Sequence, residues 1–166
     1  PDDCLYAGDR LAIAEQQYRE AARLNPRSVA PLVNMASLLV EEALAVSRED
    51  QTTGRMRLND ALASLNKAFE IQSTAALANY WAGVVYYLTA FYEESESYFK
   101  KALDTGDPRM VTAHLALADI YARLREWDGV VAELDRYLEA VPFAPNRTRV
   151  RAARKAAFDR LEASSQ

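Results

Sequence analysis

The chain has 166 residues and a net charge of −4, half of its residues are hydrophobic, and it carries only five glycines and six prolines. That composition suits one helical domain and leaves little room for turn-rich β-structure. The acidic balance argues against general nucleic-acid binding, which needs a basic footprint, and no apolar run approaches the ~18 residues of a membrane span. The single cysteine, Cys4, excludes an intrachain disulfide framework and a cysteine-based metal site.

Taken in order, residues 1–8 read as irregular and a helix follows over 9–24. Asn25-Pro26 ends it, because the residue before a proline avoids the helical region. Leu11, Ala14, Tyr18 and Ala21 share one face of this helix. No partner helix precedes it, so the stripe is expected to pack on the next unit or on a neighbour. The sequence opens at Pro1 without Met and on half of a helix pair, and it therefore reads as a piece of a longer protein. The second helix is predicted over 29–47, with Pro31 in its first turn and Leu32, Met35, Ala36, Leu39, Ala43 and Val46 inward. A polar tip at 48–54, closed by Gly54, leads into a helix over 55–71. Further helices are predicted at 74–89, 92–105, 110–124 and 126–140, with breaks at Gly106-Asp107-Pro108 and Val141-Pro142. Beyond Pro145 the sequence holds six basic and two acidic residues around a Val150, Ala153, Ala157, Leu161 stripe. This pattern suits a terminal helix that is apolar on one side only. Asn146-Arg147-Thr148 is a formal glycosylation sequon, although a helix cap explains Asn146 equally well.

The helices repeat in pairs. The residue opening each second helix is Leu11, Leu58, Tyr92 and Trp127. The small contact residue three positions on is Ala14, Ala61, Ser95 and Val130, and the knob after it is Tyr18, Leu65, Phe99 and Leu134. Ala21, Ala68, Ala102 and Tyr137 close the pairs. Every series advances by 47, then 34, then 35 residues. In the first helices, Ala36, Gly83 and Ala118 step by 47 and 35, and so do Leu39, Tyr86 and Tyr121. The first step exceeds the second by 13 residues, which lie between Ala36 and Ala61. They predict an overlong, protruding hairpin, either a neutral insertion or a docking knob.

A unit of 34 residues with Gly83, Tyr86, Tyr92, Phe99 and Ala102 at these offsets resembles the tetratricopeptide repeat. Leu117, Ala118, Tyr121, Trp127 and Pro142 carry the resemblance in the last copy, and Ala14, Tyr18, Ala21 and Pro26 carry it in the first. The resemblance implies an all-α fold, a right-handed superhelical α-solenoid of antiparallel helix pairs with about eight helices. Its units would be 9–26 (half a repeat), 29–73 (with the insertion), 76–108 and 110–142, followed by a capping helix at 145–164. The aromatic expected early in each first helix is replaced by Leu32, Asn79 or His114. Val130 and Tyr137 are bulkier than the family pattern, so altered packing is expected in the last copy.

No constellation of catalytic type is visible. His114 is the single histidine and falls at a packing position, and no glycine-rich phosphate loop occurs. The carboxylates Glu41, Glu42, Glu93, Glu94, Glu96, Asp104 and Asp107 are expected at turns and on solvated faces. No enzymatic activity, cofactor or metal is expected. By the resemblance, the first helices line a concave groove, and the residues facing it would be Val33, Ser37, Val40, Tyr80, Val84, Tyr87, Leu115, Asp119 and Arg123. The Lys/Asn/Arg clamp with which some family members hold a chaperone's C-terminal carboxylate is missing, since Val33, Ser37, Tyr80 and Val84 stand in its place. The expected role is a non-catalytic scaffold for a protein or peptide partner. The alternative is a self-assembly module that forms a homo-oligomer through the open first helix or the long hairpin.

Overall fold

A computed structural model describes the backbone of residues 2–164 and the side chains of residues 11–164. The described residues form eight α-helices: α1 Asp2–Leu24, α2 Ala30–Val46, α3 Gln51–Ile71, α4 Ala76–Leu88, α5 Tyr92–Asp104, α6 Ala113–Leu124, α7 Trp127–Ala140 and α8 Arg147–Ser164. A 3₁₀ turn, Pro108–Thr112, precedes α6. Each helix packs on its successor and α2 also reaches α4, so the chain is a series of stacked hairpins with no central core.

The helix boundaries correct the sequence reading in three places. The first helix begins at Asp2, so residues 2–8 are helical where an irregular lead was expected. Cys4 lies outside the residues whose side chains are described. Gly54 does not close the tip but sits buried in the first turn of α3. A side chain there would collide with Ser47, its Cβ falling 2.2 Å from Ser47 Oγ, so the glycine lets α3 run close against the end of α2. The turn residue that matters is Asp50, whose carboxylate accepts from the amides of Thr52 (2.9 Å) and Thr53 (3.1 Å). These bonds satisfy donors at the helix start that would otherwise lack partners. The third correction is the Pro108–Thr112 turn, opened by Asp107 accepting from the Arg109 amide at 2.9 Å.

Two buried clusters fill the stack. The first joins α2, α3 and α4 through residues such as Leu39, Leu65 and Ala82, and the second runs from Phe99 through α6 and α7 to Ala157 on α8. At their junction α4 and α5 interlock as the spacing predicts. A Cβ on Gly83 would meet the Phe99 ring at 2.8 Å, and the buried Ser95 hydroxyl donates to the Gly83 carbonyl at 2.8 Å. The α4–α5 and α6–α7 corners are built alike. Ala90 and Arg125 both take φ of 62°, and the next amides, of Phe91 and Glu126, reach back to the carbonyls of Tyr86 and Tyr121 at 2.9 Å. This is the left-handed helix ending that glycine usually serves. Neither corner has a glycine, so nothing in the sequence announces the motif there.

Where the family pattern is broken, the substitutes are satisfied locally. Asn79 is 2% exposed and donates to the carbonyls of Ala75 (3.0 Å) and Ser73 (3.2 Å). His114 Nδ1 lies 2.6 Å from Oε2 of Glu133, a carboxylate buried at 3% exposure that also accepts from Arg136. Two carboxylates expected on solvated faces are instead built in. Glu42 is buried against Arg57 at 2.9 Å, and burial raises its pKa against the lowering effect of that guanidinium. Glu96 accepts from Tyr121 Oη at 2.7 Å and Lys100 Nζ at 2.6 Å, tying α5 to α6. Burial opposes its ionisation, but those two bonds outweigh burial and hold its pKa below the usual value. The Lys100 ammonium is correspondingly pushed up to about 12, first by its bond to Glu96 and then by Tyr121.

Candidate functional site

Of the nine residues expected to face a groove, Val33 and Val40 do not. They are 4% and 1% exposed and belong to the same buried cluster as Ala78, Ala82 and Val85 of α4. The cause is local packing: α4 rests directly on α2, so the valine positions of the first pair become interhelical core. Ser37 is half-buried and donates to the Asn34 carbonyl of its own helix at 2.9 Å.

The other six lie on α4 and α6. Tyr80 packs edge-on against Phe99, with ring centroids 5.5 Å apart, and against Trp81 at 5.9 Å. Its hydroxyl accepts a long bond from Thr112 Oγ1 at 3.5 Å. Val84 is half-buried where the two clusters meet. Tyr87, Asp119 and Arg123 are brought into one polar group. Arg123 donates to Asp119 Oδ2 at 2.8 Å and to Tyr87 Oη at 2.7 Å, and Tyr87 donates to the same carboxylate. The guanidinium carbon sits 5.2 Å from the centre of the Tyr87 ring and 5.8 Å from that of Tyr92, within cation–π range. Burial, then the bond to Asp119, raises the Tyr87 pKa. The bond to Asp119, then the one to Tyr87, raises that of Arg123. The triad therefore sets the Tyr87 phenol between the Arg123 guanidinium and the Asp119 carboxyl group. It bridges the first helices of two successive pairs, and its Asp119 and Arg123 stay half-open to solvent, at 51% and 49% exposure.

Beyond the triad the same face opens into a cleft of about 560 Å³ between α6, α7 and α8. Leu115, Ala118, Asp119 and Ala122 form one wall, and Trp127, Val130 and Leu134 line it from α7. The opposite wall is α8, with Arg149, Ala153, Ala156 and Arg160. Sequence reasoning places Leu115 and Asp119 on this surface but misses Trp127 and the α8 wall, because the apolar stripe of α8 points only to a cap. The signal is present in the Arg149, Ala153, Ala156, Arg160 spacing, which stacks four residues on one helical face. Asn146 is not a helix cap through its side chain: its Oδ1 accepts from Tyr137 Oη at 2.9 Å, tying the α7–α8 loop to α7.

Among the described residues no group of three or more His, Cys, Asp or Glu side chains is placed to hold a metal ion. No helix among them is long and apolar enough to cross a membrane.

Comparison with protein-family models and with curated proteins gives no match. Solved structures do match. TTC0263, a thermophilic TPR protein of Thermus thermophilus, is 23% identical with a TM-score of 0.73, over 87% of this chain and 74% of that one. YrrB, described as a TPR protein with an unusual peptide-binding site, is 28% identical with a TM-score of 0.63, over 84% of this chain and 63% of that one. MamA is 17% identical with a TM-score of 0.64, over 99% of this chain and 95% of that one. Two of these neighbours are TPR proteins by their own description, and this chain superposes on them with TM-scores of 0.73 and 0.63. By fold, this chain is a tetratricopeptide-repeat solenoid.

Proposed function

We propose that the chain is a non-catalytic interaction scaffold that holds a peptide or helical segment of a partner protein along the face formed by α4, α6 and α8. The observation that carries this reading is the continuity of that face: Tyr80, Val84 and the Tyr87–Asp119–Arg123 triad lead directly into the α6–α8 cleft. Tyrosines and arginine beside an apolar trough are the composition enriched at the centres of protein interfaces. YrrB, which shares this fold, is described as having a peptide-binding site, and this supports a peptide as the kind of ligand. Replacing both Tyr80 and Tyr87 by Ser is expected to weaken partner capture at least about tenfold, as loss of two aromatic anchors does. Unchanged capture by a variant of undiminished helicity would remove α4 from the site.

The second reading, self-assembly through the first helix, has its own support. Ile13 and Leu24 on α1 are 54% and 69% exposed, which leaves apolar surface that a second copy could cover. Sedimentation across a range of concentrations separates the two: a monomer favours the scaffold, and a concentration-dependent dimer lost in Ile13→Glu favours assembly.

A further inference from the structure

We propose that the cleft between α6, α7 and α8 is a docking site for an acidic amphipathic helix of the partner. The proposal rests on the scaffold reading above and assigns the chemistry of its ligand. Charge is the first argument. The chain is acidic overall, yet α8 carries six basic residues against two acidic ones. Some of these cations have structural work: Arg154 grips Asp135 through two bonds of 2.9 Å, Arg147 bonds backbone carbonyls at the end of α7, and Lys155 pairs with Asp159. Arg149 and Arg160, the two that line the cleft, have no carboxylate partner among the described residues. Arg160 lies over the Trp127 ring at 4.7 Å, which holds it at the cleft edge with its charge unneutralised. The nearby anion, Asp119, is already engaged by Arg123 and Tyr87 and adds little repulsion.

Geometry is the second argument. Arg149 and Arg160 stand eleven residues apart on one face of α8, which separates them by about 16 Å along the axis. Ala153 and Ala156 lie between them and let another helix approach closely. A helix lying along α8 can offer two carboxylates at that same spacing on one face, with apolar side chains between them for the part-exposed Leu115 and Trp127. An extended peptide fits less well: its same-face residues fall about 13 or 20 Å apart, and the intermediate spacing puts the carboxylates on opposite sides.

The test is fluorescence anisotropy with a labelled, blocked alanine–leucine peptide of about five helical turns, carrying two glutamates at the Arg149–Arg160 spacing. It is expected to bind the intact chain at low salt and to weaken as salt rises. Arg149→Glu/Arg160→Glu, and to a lesser degree Arg149→Gln/Arg160→Gln, should lower affinity by about tenfold or more. Arg27→Glu/Arg151→Glu, an equal charge change away from the cleft, should not. The proposal is overturned if the peptide does not bind, or if the cleft variants bind as well as the intact chain while remaining helical by circular dichroism. It is also overturned if a peptide with its glutamates on opposite faces, or an oligo-dT of equal charge, binds equally. In any of those cases the scaffold reading survives so long as peptides selected from a random display library bind the α4–α6 face. It falls only when none does.

Discussion

Phe99→Ala is expected to lower the unfolding free energy by about 3–5 kcal/mol, the range for deleting a buried aromatic. Phe99 is 1% exposed and belongs to the cluster that continues into α6, α7 and α8, while its ring also covers Gly83 on α4. In a stack whose units are stabilised by their neighbours, a weak central unit uncouples the flanks. The urea transition should therefore broaden as well as shift. The reciprocal change, Gly83→Ala, forces a methyl group into three ring carbons at 2.8–2.9 Å and is expected to cost about 1–3 kcal/mol by overpacking. Phe99→Leu in the Gly83→Ala background should recover part of that loss, with a coupling of about 0.5–3 kcal/mol. Strict additivity of the two changes would show that the helices do not meet at this point.

The second large effect is at the buried Glu133. His114→Leu removes one partner from a carboxylate that is 3% exposed and should cost about 2–3 kcal/mol, since a buried charge loses a hydrogen bond it cannot replace with water. The double change His114→Leu/Glu133→Leu removes the charge along with its partner and fills the site with apolar atoms. It should restore most of the stability. Equilibrium denaturation of the two variants decides the matter. A double variant less stable than the single one would mean that His114 acts through packing rather than through Glu133.

Much of this architecture is legible in the sequence, because packing residues in a helical repeat obey a period. Gly83, Ser95 and Phe99 match at one offset and are found interlocked, and the overlong α2–α3 hairpin follows from the 13 extra residues. What the period does not encode stays hidden. Whether a residue on the first-helix face meets solvent or a neighbour depends on how closely successive pairs stack, so Val33 and Val40, whose positions point to a groove, are core. Glu42, Glu96 and Glu133 carry no pattern that separates them from surface carboxylates; their partners Arg57, Tyr121 and His114 come from other helices. The tight corners at Ala90 and Arg125 lack the glycine that would have announced them. Of the expected groove residues, Tyr87, Asp119 and Arg123 converge, whereas Trp127, Arg149 and Arg160 join them from helices that the groove pattern does not include.

Amide chemical-shift mapping of the chain with a tight-binding peptide, chosen from a random display library, tests the scaffold face most directly. The expected result is a continuous track of shifted amides along α4, α6 and α8, through Tyr80, Val84, Tyr87, Leu115, Asp119, Arg123 and Arg149. Shifts confined to α1 or to the outer helices α3 and α5 would contradict it.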